Sequence, residues 1–235
     1  MKININPSSA AFSLGQMVIS DATSGCLRYL LLKKYVAKPE PFPEHLKVMG
    51  EAGEVAYMKI LENDQPYPFH RELPFKAELE GVRISGRMDF VTYHDGFKVI
   101  HECKTSQSKP FLYGVVRKGE PKVNHMAQLV FYLTHLNETR GKLVCLYAPT
   151  GELRVFKVEI TPNGDVLVDG RKYLYNVQNQ ITHQLLAAKV INERIIWSRP
   201  RGKACDYCVY KSECDKYDAA GCGNGIQDFM EVIDV

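Results

Sequence analysis

The sequence contains no internal repeat, no low-complexity tract and no apolar run long enough to span a membrane. Its first residues also lack the apolar stretch of a secretory signal. We therefore expect a cytoplasmic protein without a membrane partner. Hydrophobic residues make up 45% and charged residues 24% of the 235 positions, which is ordinary for a globular protein with a substantial core.

A strong charge of one sign is missing as well. The formal net charge is +3, which is too small by itself to indicate a nucleic-acid partner. Its distribution is uneven, because the stretch from Thr105 to Lys122 has an excess of three positive charges and the last ten residues have an excess of three negative charges. The basic stretch could follow a phosphate backbone, or it could be a solvated loop.

The spacing of apolar residues predicts alternating helices and strands. Helices are predicted over residues 20–35, 43–62, 122–137 and 169–197. Strands are predicted over residues 71–80, 83–92, 97–105, 143–148 and 153–160. This order is typical of an α/β fold in which helices flank a mixed central sheet. We expect one domain over 1–235, in which a helical segment (1–40) and a cysteine-rich segment with a tail (199–235) extend a core over 41–198.

The clearest local signal is Asp95-Gly96 between two predicted strands, because Asp-Gly favours a two-residue hairpin turn. In that register His94 pairs with Phe97. Counting back along both strands then puts Asp89 directly opposite Glu102. The hairpin therefore predicts two carboxylates on one face of the sheet.

Like charges directly opposite each other destabilise a sheet, so Asp89 and Glu102 need a compensating cation. A hard divalent ion such as Mg²⁺ or Mn²⁺ matches carboxylate oxygens and can polarise a phosphoryl group. Lys104 lies two residues after Glu102 and shares its face, where it could orient water or stabilise charge on a phosphate. The alternative interpretation is a solvent-exposed strand face on which acidic and basic residues alternate.

These residues have the form D…ExK, which resembles the PD-(D/E)XK nuclease superfamily and its RecB-like branch in particular. A second pattern agrees with the resemblance. Gln128 and Tyr132 form a Gln-x-x-x-Tyr pair on one face of a predicted helix, and such a helix borders the site in the RecB-like branch. The resemblance implies a restriction-endonuclease-like core.

A third pattern is Gly50-x-x-x-Glu54 on the second predicted helix. Gly50 and Gly53 would let another backbone approach closely, and Glu54 would lie next to the surface of that approach. RecB-like enzymes often have a histidine ligand here, whereas other members of the superfamily use glutamate. The alternative interpretation of Glu54 is a solvated helix acid.

Three cysteines lie within ten residues in Cys205-x-x-Cys208-x₅-Cys214. In a chain without a secretory signal, this spacing favours metal ligation over disulfides. A fourth thiolate is needed, and the residues leave two candidates. Cys222 would complete a local zinc site. Cys26 would instead join the N-terminal segment to the C-terminal trio.

The resemblance favours Cys26. CRISPR-associated RecB-like exonucleases and AddB-type nuclease domains bind a [4Fe–4S] cluster through one cysteine before the core and three after it. The implied cluster ligands are Cys26, Cys205, Cys208 and Cys214. Cys103 and Cys145 lie on predicted strands, and we expect them to be small core residues.

The resemblance further implies a Mg²⁺- or Mn²⁺-dependent exonuclease that cleaves single-stranded DNA or DNA ends. Members act in CRISPR adaptation, recombination or phage DNA processing, and adaptation or recombination proteins would be partners. No P-loop motif is present, so any helicase would be a separate chain. The implied cation ligands are Glu54, Asp89, Glu102 and the backbone carbonyl of Cys103. Lys104 would align the attacking water, and Gln128 and Tyr132 would contact the substrate or hold the lysine.

The segment from Lys109 to Lys122 would contact the DNA backbone. Phe111 or Tyr113 could stack on an unpaired base, although burial in the core is an equal alternative for both. Two other functions stay open. One is a non-catalytic DNA-binding or scaffold module of the same fold, and the other is an interaction protein stabilised by zinc.

Overall fold

The computed structural model describes residues 44–63, 68–79, 81–94, 96–182 and 185, together with the backbone of residues 16–18 and 64. Contacts along the chain divide it into two compact units. The larger unit consists of residues 43–75 and 87–180, and the smaller unit of residues 1–42, 76–86 and 181–235. The expected single domain over 1–235 stays a prediction.

Three helices lie wholly within the described residues, α1 (Glu44–Asp64), a π-helix (Phe111–Arg117) and α2 (Val123–His135), and residues 177–182 are helical as well. The strands are β1 (Gln16–Val18), β2 (Phe69–Leu79), β3 (Val82–His94), β4 (Phe97–Ser106), β5 (Arg140–Tyr147), β6 (Glu152–Ile160), β7 (Val166–Val168) and β8 (Arg171–Lys172). No helix among the described residues has both the length and the apolar composition needed to cross a membrane.

In the larger unit the strand order is β3, β4, β5, β6, β7 and β8. The β4–β5 pair is parallel and the other pairs are antiparallel, so the sheet is mixed. In the smaller unit β1 runs parallel to the start of β3, with Gln16 opposite Arg83. The mixed sheet with flanking helices agrees with the predicted fold class.

The β3–β4 hairpin has the predicted register. His94 pairs with Phe97, and Phe90 pairs with His101 four positions further from the turn. Gly96 has a φ of 80°, which side chains rarely adopt and which this tight turn requires. The same register puts Asp89 opposite Glu102, beyond the last regular pair.

Helices α1 and α2 pack against opposite faces of β4. On one face the Tyr57 hydroxyl of α1 is hydrogen-bonded to His101 Nδ1 at 2.9 Å. On the other face Lys104 Nζ donates to Gln128 Oε1 of α2 at 3.0 Å. Residues three apart on a strand point to opposite sides, which is why one strand serves both helices.

The core on the α1 side is a cluster of four buried side chains, Tyr57, Leu61, Phe90 and Val144. His101 lies among them and is also hydrogen-bonded to Thr92 Oγ1 at 2.9 Å. Burial, together with the charges of Lys142 and His94, lowers the pKa of His101 to about 3. The imidazole is therefore neutral at physiological pH, which makes His101 a polar member of the core.

The helix predicted over 169–197 is wrong at its start. Asp169 and Gly170 have φ values of 49° and 78° and form a second two-residue hairpin turn, with Val168 opposite Arg171. Helical residues begin at 177. A reciprocal capping box stabilises the N-terminus of this helical segment. The Asn179 amide donates to Asn176 Oδ1 at 2.8 Å, and the Asn176 amide donates to Asn179 Oδ1 at 3.1 Å.

The helix predicted over 20–35 and the part of the last helix beyond residue 185 lie outside the described residues. Three short strands, β1, β7 and β8, were not predicted, because each has only two or three residues. The segment after β4, for which neither a helix nor a strand was predicted, contains the π-helix.

Candidate active site

Each of the two opposing carboxylates has one oxygen held by the chain. Asp89 Oδ2 accepts a hydrogen bond from the Cys103 amide at 2.6 Å, and Glu102 Oε1 lies 2.5 Å from Lys104 Nζ. Glu102 is only 1% exposed, and its second oxygen, Oε2, is buried with no hydrogen-bond partner among the described residues. A buried acceptor without a partner is costly, so this oxygen needs a cation or a donor.

The pKa values of both acids are raised. The pKa of Asp89 rises from 3.8 to about 8, mainly through burial and then through the Glu102 and Glu54 charges, while Lys104 and the Cys103 amide oppose the shift. Burial also raises the pKa of Glu102, against the lowering effect of Lys104. Burial therefore disfavours the charged forms of both carboxyl groups, which a bound cation would favour.

Lys104 stays protonated at neutral pH. Burial by itself would lower its pKa, but the carboxylates of Glu102 and Asp89 raise it above its ordinary value. An ammonium group has three donors, and the described part of the chain supplies two acceptors, on Glu102 and Gln128. One donor is left for a water molecule or a phosphate oxygen.

The predicted pair on α2 holds other site residues in position. Gln128 accepts from Lys104, as stated above, and also forms a side-chain hydrogen bond with Tyr132. The Tyr132 hydroxyl donates to the backbone carbonyl of Arg87 at 2.8 Å, and the side chain is only 1% exposed. Of the two roles expected for this pair, the geometry supports holding the lysine over contacting the substrate.

Glu54 reaches the same region from α1. Its charge raises the pKa of both Asp89 and Glu102, which requires it to be close to them. Its Oε2 accepts a hydrogen bond from Arg71 Nη2 at 3.5 Å. The helix comes close to β4 at Gly53, where a β-carbon would overlap the Thr105 side chain, whereas a β-carbon on Gly50 would meet no atom of the described residues within 4 Å. What approaches Gly53 is a side chain and not the expected backbone, and the close approach expected at Gly50 stays a prediction.

The residues present fit a divalent cation in part. Among the described residues no three His, Cys, Asp or Glu side chains converge closely enough to hold a metal together. Mg²⁺ is commonly bound by only one or two carboxylates, and waters and substrate phosphates complete its shell. Asp89 and Glu102 meet that requirement, and the unpartnered Oε2 of Glu102 is the observation in favour.

The described cysteines are not ligands for a cluster. Cys145 is fully buried, and burial raises its pKa to about 12. The Cys103 side chain packs against the α1 core cluster, and burial and the site acids keep its pKa well above its ordinary value. Cys145 is a core residue, as expected, whereas Cys103 is only partly buried. The Cys103 contact that the structure shows at the site is its amide, and the role of its carbonyl stays a prediction. The proposed cluster ligands Cys26, Cys205, Cys208 and Cys214, and also Cys222, lie outside the described residues.

The two candidate aromatic residues in the basic segment after β4 differ in their exposure. Phe111 is 1% exposed and its ring lies 6.3 Å from that of His125, so the prediction that it could stack on a base is wrong. Tyr113 is 53% exposed. The Arg117 guanidinium lies 5.3 Å from the Tyr113 ring centre and makes a bidentate ion pair with Glu152 at 2.8 and 2.9 Å.

The sequence interpretation missed Arg71 and Glu72 altogether and gave Arg87 no role at the site. Arg71 begins the first predicted strand (71–80), where nothing in the sequence distinguishes it from an ordinary solvated arginine. Its position becomes informative only through its contact with Glu54, which lies 17 residues earlier in the chain.

Comparison with curated proteins found no significant match. Among solved structures, the chain is similar to SSO0001, with a TM-score of 0.55 and 17% identity over 87% of this chain and 88% of that one. It is also similar to the alkaline exonuclease LHK-Exo from Laribacter hongkongensis, with a TM-score of 0.49 and 10% identity over 77% of this chain and 88% of that one. Residues 26–215, well over half of the chain, match the family described as the PD-(D/E)XK nuclease superfamily. The chain belongs to the PD-(D/E)XK nuclease superfamily.

Proposed function

We propose that the protein is a Mg²⁺- or Mn²⁺-dependent deoxyribonuclease that acts mainly as an exonuclease on single-stranded DNA or DNA ends. Membership of the superfamily supports hydrolysis of phosphodiesters in DNA. The observation that carries the cation requirement is the buried Oε2 of Glu102, which lacks a hydrogen-bond partner among the described residues.

Asp89 and Glu102 would hold the cation, with Glu54 and the Cys103 carbonyl as further ligands. A bound cation would supply Lewis-acid polarisation of a phosphoryl oxygen and would favour ionisation of a nearby water. The carboxylate orientations are set by the chain itself, because the Cys103 amide holds Asp89 and Lys104 holds Glu102.

Lys104 would act as a cationic hydrogen-bond donor and not as a general base, because its pKa is raised. Its remaining N–H would align the attacking water or stabilise negative charge on the phosphate. Gln128 keeps the ammonium group in place, and Tyr132 keeps β3 in place beside Asp89. Both are positioning residues in this mechanism.

A preference for single strands would come from the segment Lys109 to Lys122. Tyr113 is exposed and its ring is oriented by Arg117, which Glu152 holds in turn. An exposed, held aromatic ring suits stacking on an unpaired base, and the lysines nearby suit its phosphates.

The cysteine pattern supports a more specific proposal within the superfamily, a nuclease that carries an iron–sulfur cluster. Cys26, Cys205, Cys208 and Cys214 would bind a [4Fe–4S] cluster that joins the two ends of the chain. The biological setting would be CRISPR adaptation, recombination or phage DNA processing, in the cytoplasm and beside partner proteins of those pathways.

The decisive experiment is a time course on end-labelled single- and double-stranded DNA with Mn²⁺, together with linear and circular substrates. Lys104→Ala should lower the cleavage rate by about 100-fold or more, as loss of a key electrostatic group does. Asp89→Asn should abolish the increase in cleavage rate that Mn²⁺ produces.

Lys98→Ala is the matched control, because it removes a lysine from the same strand whose partner is Glu138 at the surface. It should cleave at the wild-type rate. A folded Lys104→Ala protein that degrades DNA at the wild-type rate would overturn the proposal. Binding of DNA without cleavage by the wild type would favour the non-catalytic module instead.

A further inference from the structure

Two arginines lie beside the candidate active site, and the mechanism above gives neither a role. Arg71 Nη2 lies 3.5 Å from Glu54 Oε2 and 3.8 Å from Glu72 Oε1. Arg87 Nη1 lies 3.4 Å from the same Glu72 oxygen. Glu72 therefore bridges two guanidinium groups, one of which also contacts a proposed cation ligand. We refer to Arg71 and Arg87 as the arginine pair.

The arginine pair is close to the carboxylates on both sides. Arg87 precedes Asp89 by two residues on β3 and so shares its face. Its carbonyl is held by Tyr132, which also contacts Gln128. Arg71 reaches the site through Glu54. Both arginines are thus placed around the point where a phosphodiester would have to meet Asp89.

The ion pairs of the arginine pair are loose compared with others in the same unit. Arg117 contacts Glu152 at 2.8 and 2.9 Å, and Arg154 contacts Asp169 at 2.7 Å. These are the distances of direct charge-assisted hydrogen bonds, whereas 3.4–3.8 Å is longer. Guanidinium groups in such long contacts keep the capacity to bind a better acceptor.

The pair is also accessible. The Arg87 side chain is 57% exposed and that of Arg71 is 33% exposed, while Glu102 is 1% exposed. An anion that comes from solvent would therefore meet the arginines before the buried carboxylates. Glu72, which holds the pair together, has a φ of 56°, a left-handed conformation that is strained for a glutamate in a strand.

We propose that Arg71 and Arg87 bind a phosphate group of the DNA next to the bond that is cleaved. This inference rests on the proposed nuclease function and deepens it. The ligand is a phosphodiester oxyanion, which a guanidinium can bind with two parallel hydrogen bonds. When Arg71 moves to the phosphate, Glu54 loses its partner and becomes available to the cation.

DNA binding and cation binding are therefore coupled through Arg71. In the described structure Glu54 is engaged with Arg71, and no group of three metal-binding side chains is formed there. Release of Glu54 by the phosphate would let it join Asp89 and Glu102 as the third carboxylate ligand of the cation. By thermodynamic reciprocity, DNA then raises the affinity for the cation by the same factor as the cation raises the affinity for DNA.

The test measures binding of a labelled single-stranded oligonucleotide by fluorescence anisotropy in EDTA over a range of salt concentrations. Each lost phosphate contact should reduce the slope of log affinity against log salt by about 0.7. Arg71→Ala and Arg87→Ala should each show that reduction and bind about tenfold more weakly. Arg71→Lys and Arg87→Lys keep the charge, so they should keep the slope and lose only part of the affinity.

Arg171→Ala is the matched control, because Arg171 is an exposed arginine on β8, the last strand of the sheet in the larger unit. It should leave the slope unchanged. Arg71→Ala should also lower the Mn²⁺ concentration needed for half-maximal cleavage at low DNA concentration, since it removes the competitor for Glu54.

If Arg71 only supported Glu54 structurally, its removal would raise the Mn²⁺ requirement and leave the salt slope intact, which would overturn the inference. The inference would also be overturned if the wild type cleaved DNA but both alanine variants kept the salt slope, as Arg171→Ala is expected to do. The proposed function would stand in that case. Reduced slopes in a wild-type protein that never cleaves DNA would instead refute the proposed function and leave the phosphate site in place.

Discussion

At the scale of single residues, the chemistry of this protein depends on burial more than on residue type. Asp89 and Glu102 would be unremarkable acids on a solvated strand. Burial raises the pKa of both, and the Glu54 and Glu102 charges add to the effect on Asp89. The same burial by itself would lower the pKa of Lys104, but its acidic neighbours raise that pKa above its ordinary value.

The raised pKa of Asp89 predicts how stability depends on pH without a divalent cation. Because its pKa rises from 3.8 to about 8 on folding, the folded state holds this proton more tightly than the unfolded state. The free energy of unfolding should therefore fall as pH rises through that window. Thermal unfolding in EDTA over this pH range measures the effect.

Two comparisons make this prediction specific. Asp89→Asn removes the titrating group and should flatten the decline, and Mg²⁺ should stabilise the wild type most at the alkaline end. A decline of equal steepness in the asparagine variant would show that Asp89 is not its source.

At the scale of elements, the site depends on how closely α1 approaches β4. A β-carbon on Gly53 would overlap the Thr105 side chain, while one on Gly50 would have no neighbour within 4 Å in the part of the chain that the structure describes. Gly53 is thus the point where helix and strand meet, and Glu54 follows it directly. The helix carries a proposed cation ligand at the place where it packs most tightly.

Gly53→Ala should therefore destabilise the protein by about 1–3 kcal/mol, the usual effect of overpacking, and should displace Glu54 from the acids. Gly50→Ala is the control and should be neutral or stabilise by up to about 1 kcal/mol, since alanine favours a helix. Urea unfolding gives the stabilities, and the Mn²⁺ requirement for cleavage reports the position of Glu54. Equal stability of the two variants would contradict the close approach.

The two Asp-Gly turns show how far local patterns reach. Asp95-Gly96 predicted the β3–β4 register correctly, because the turn conformation determines which residues face each other. Asp169-Gly170 is the same signal, but the apolar spacing after it predicts the start of a helix. The structure makes it a hairpin between β7 and β8. At both positions the Asp-Gly turn signal predicts the observed hairpin, whereas the apolar spacing after Asp169-Gly170 does not.

At the scale of the whole molecule, the proposed cluster would make the two ends of the chain interdependent. Metal binding energy would then become folding energy for the N-terminal and C-terminal segments together. The alternative zinc site needs only the C-terminal segment. The two ligand sets differ in a single cysteine, Cys26 or Cys222.

Purified wild-type protein should be brown and contain iron. Cys26→Ser should lose the colour and the iron, and its melting temperature should fall. Cys222→Ser should keep all three properties. Visible absorption and metal analysis measure the outcome, and a colourless wild-type protein that contains zinc and loses it in Cys222→Ser would refute the iron–sulfur assignment.

The sequence by itself determined the β3–β4 register and thus the opposition of Asp89 and Glu102, since a tight turn and strand periodicity are local properties of the chain. It also pointed to Lys104, Gln128 and Tyr132 through their spacing. Only the tertiary structure decided that Gln128 holds Lys104, that Phe111 is buried while Tyr113 is exposed, and that Arg71 contacts Glu54. These features arise from contacts between residues far apart in the chain, and burial, pKa and ion pairing depend on such contacts and not on local pattern.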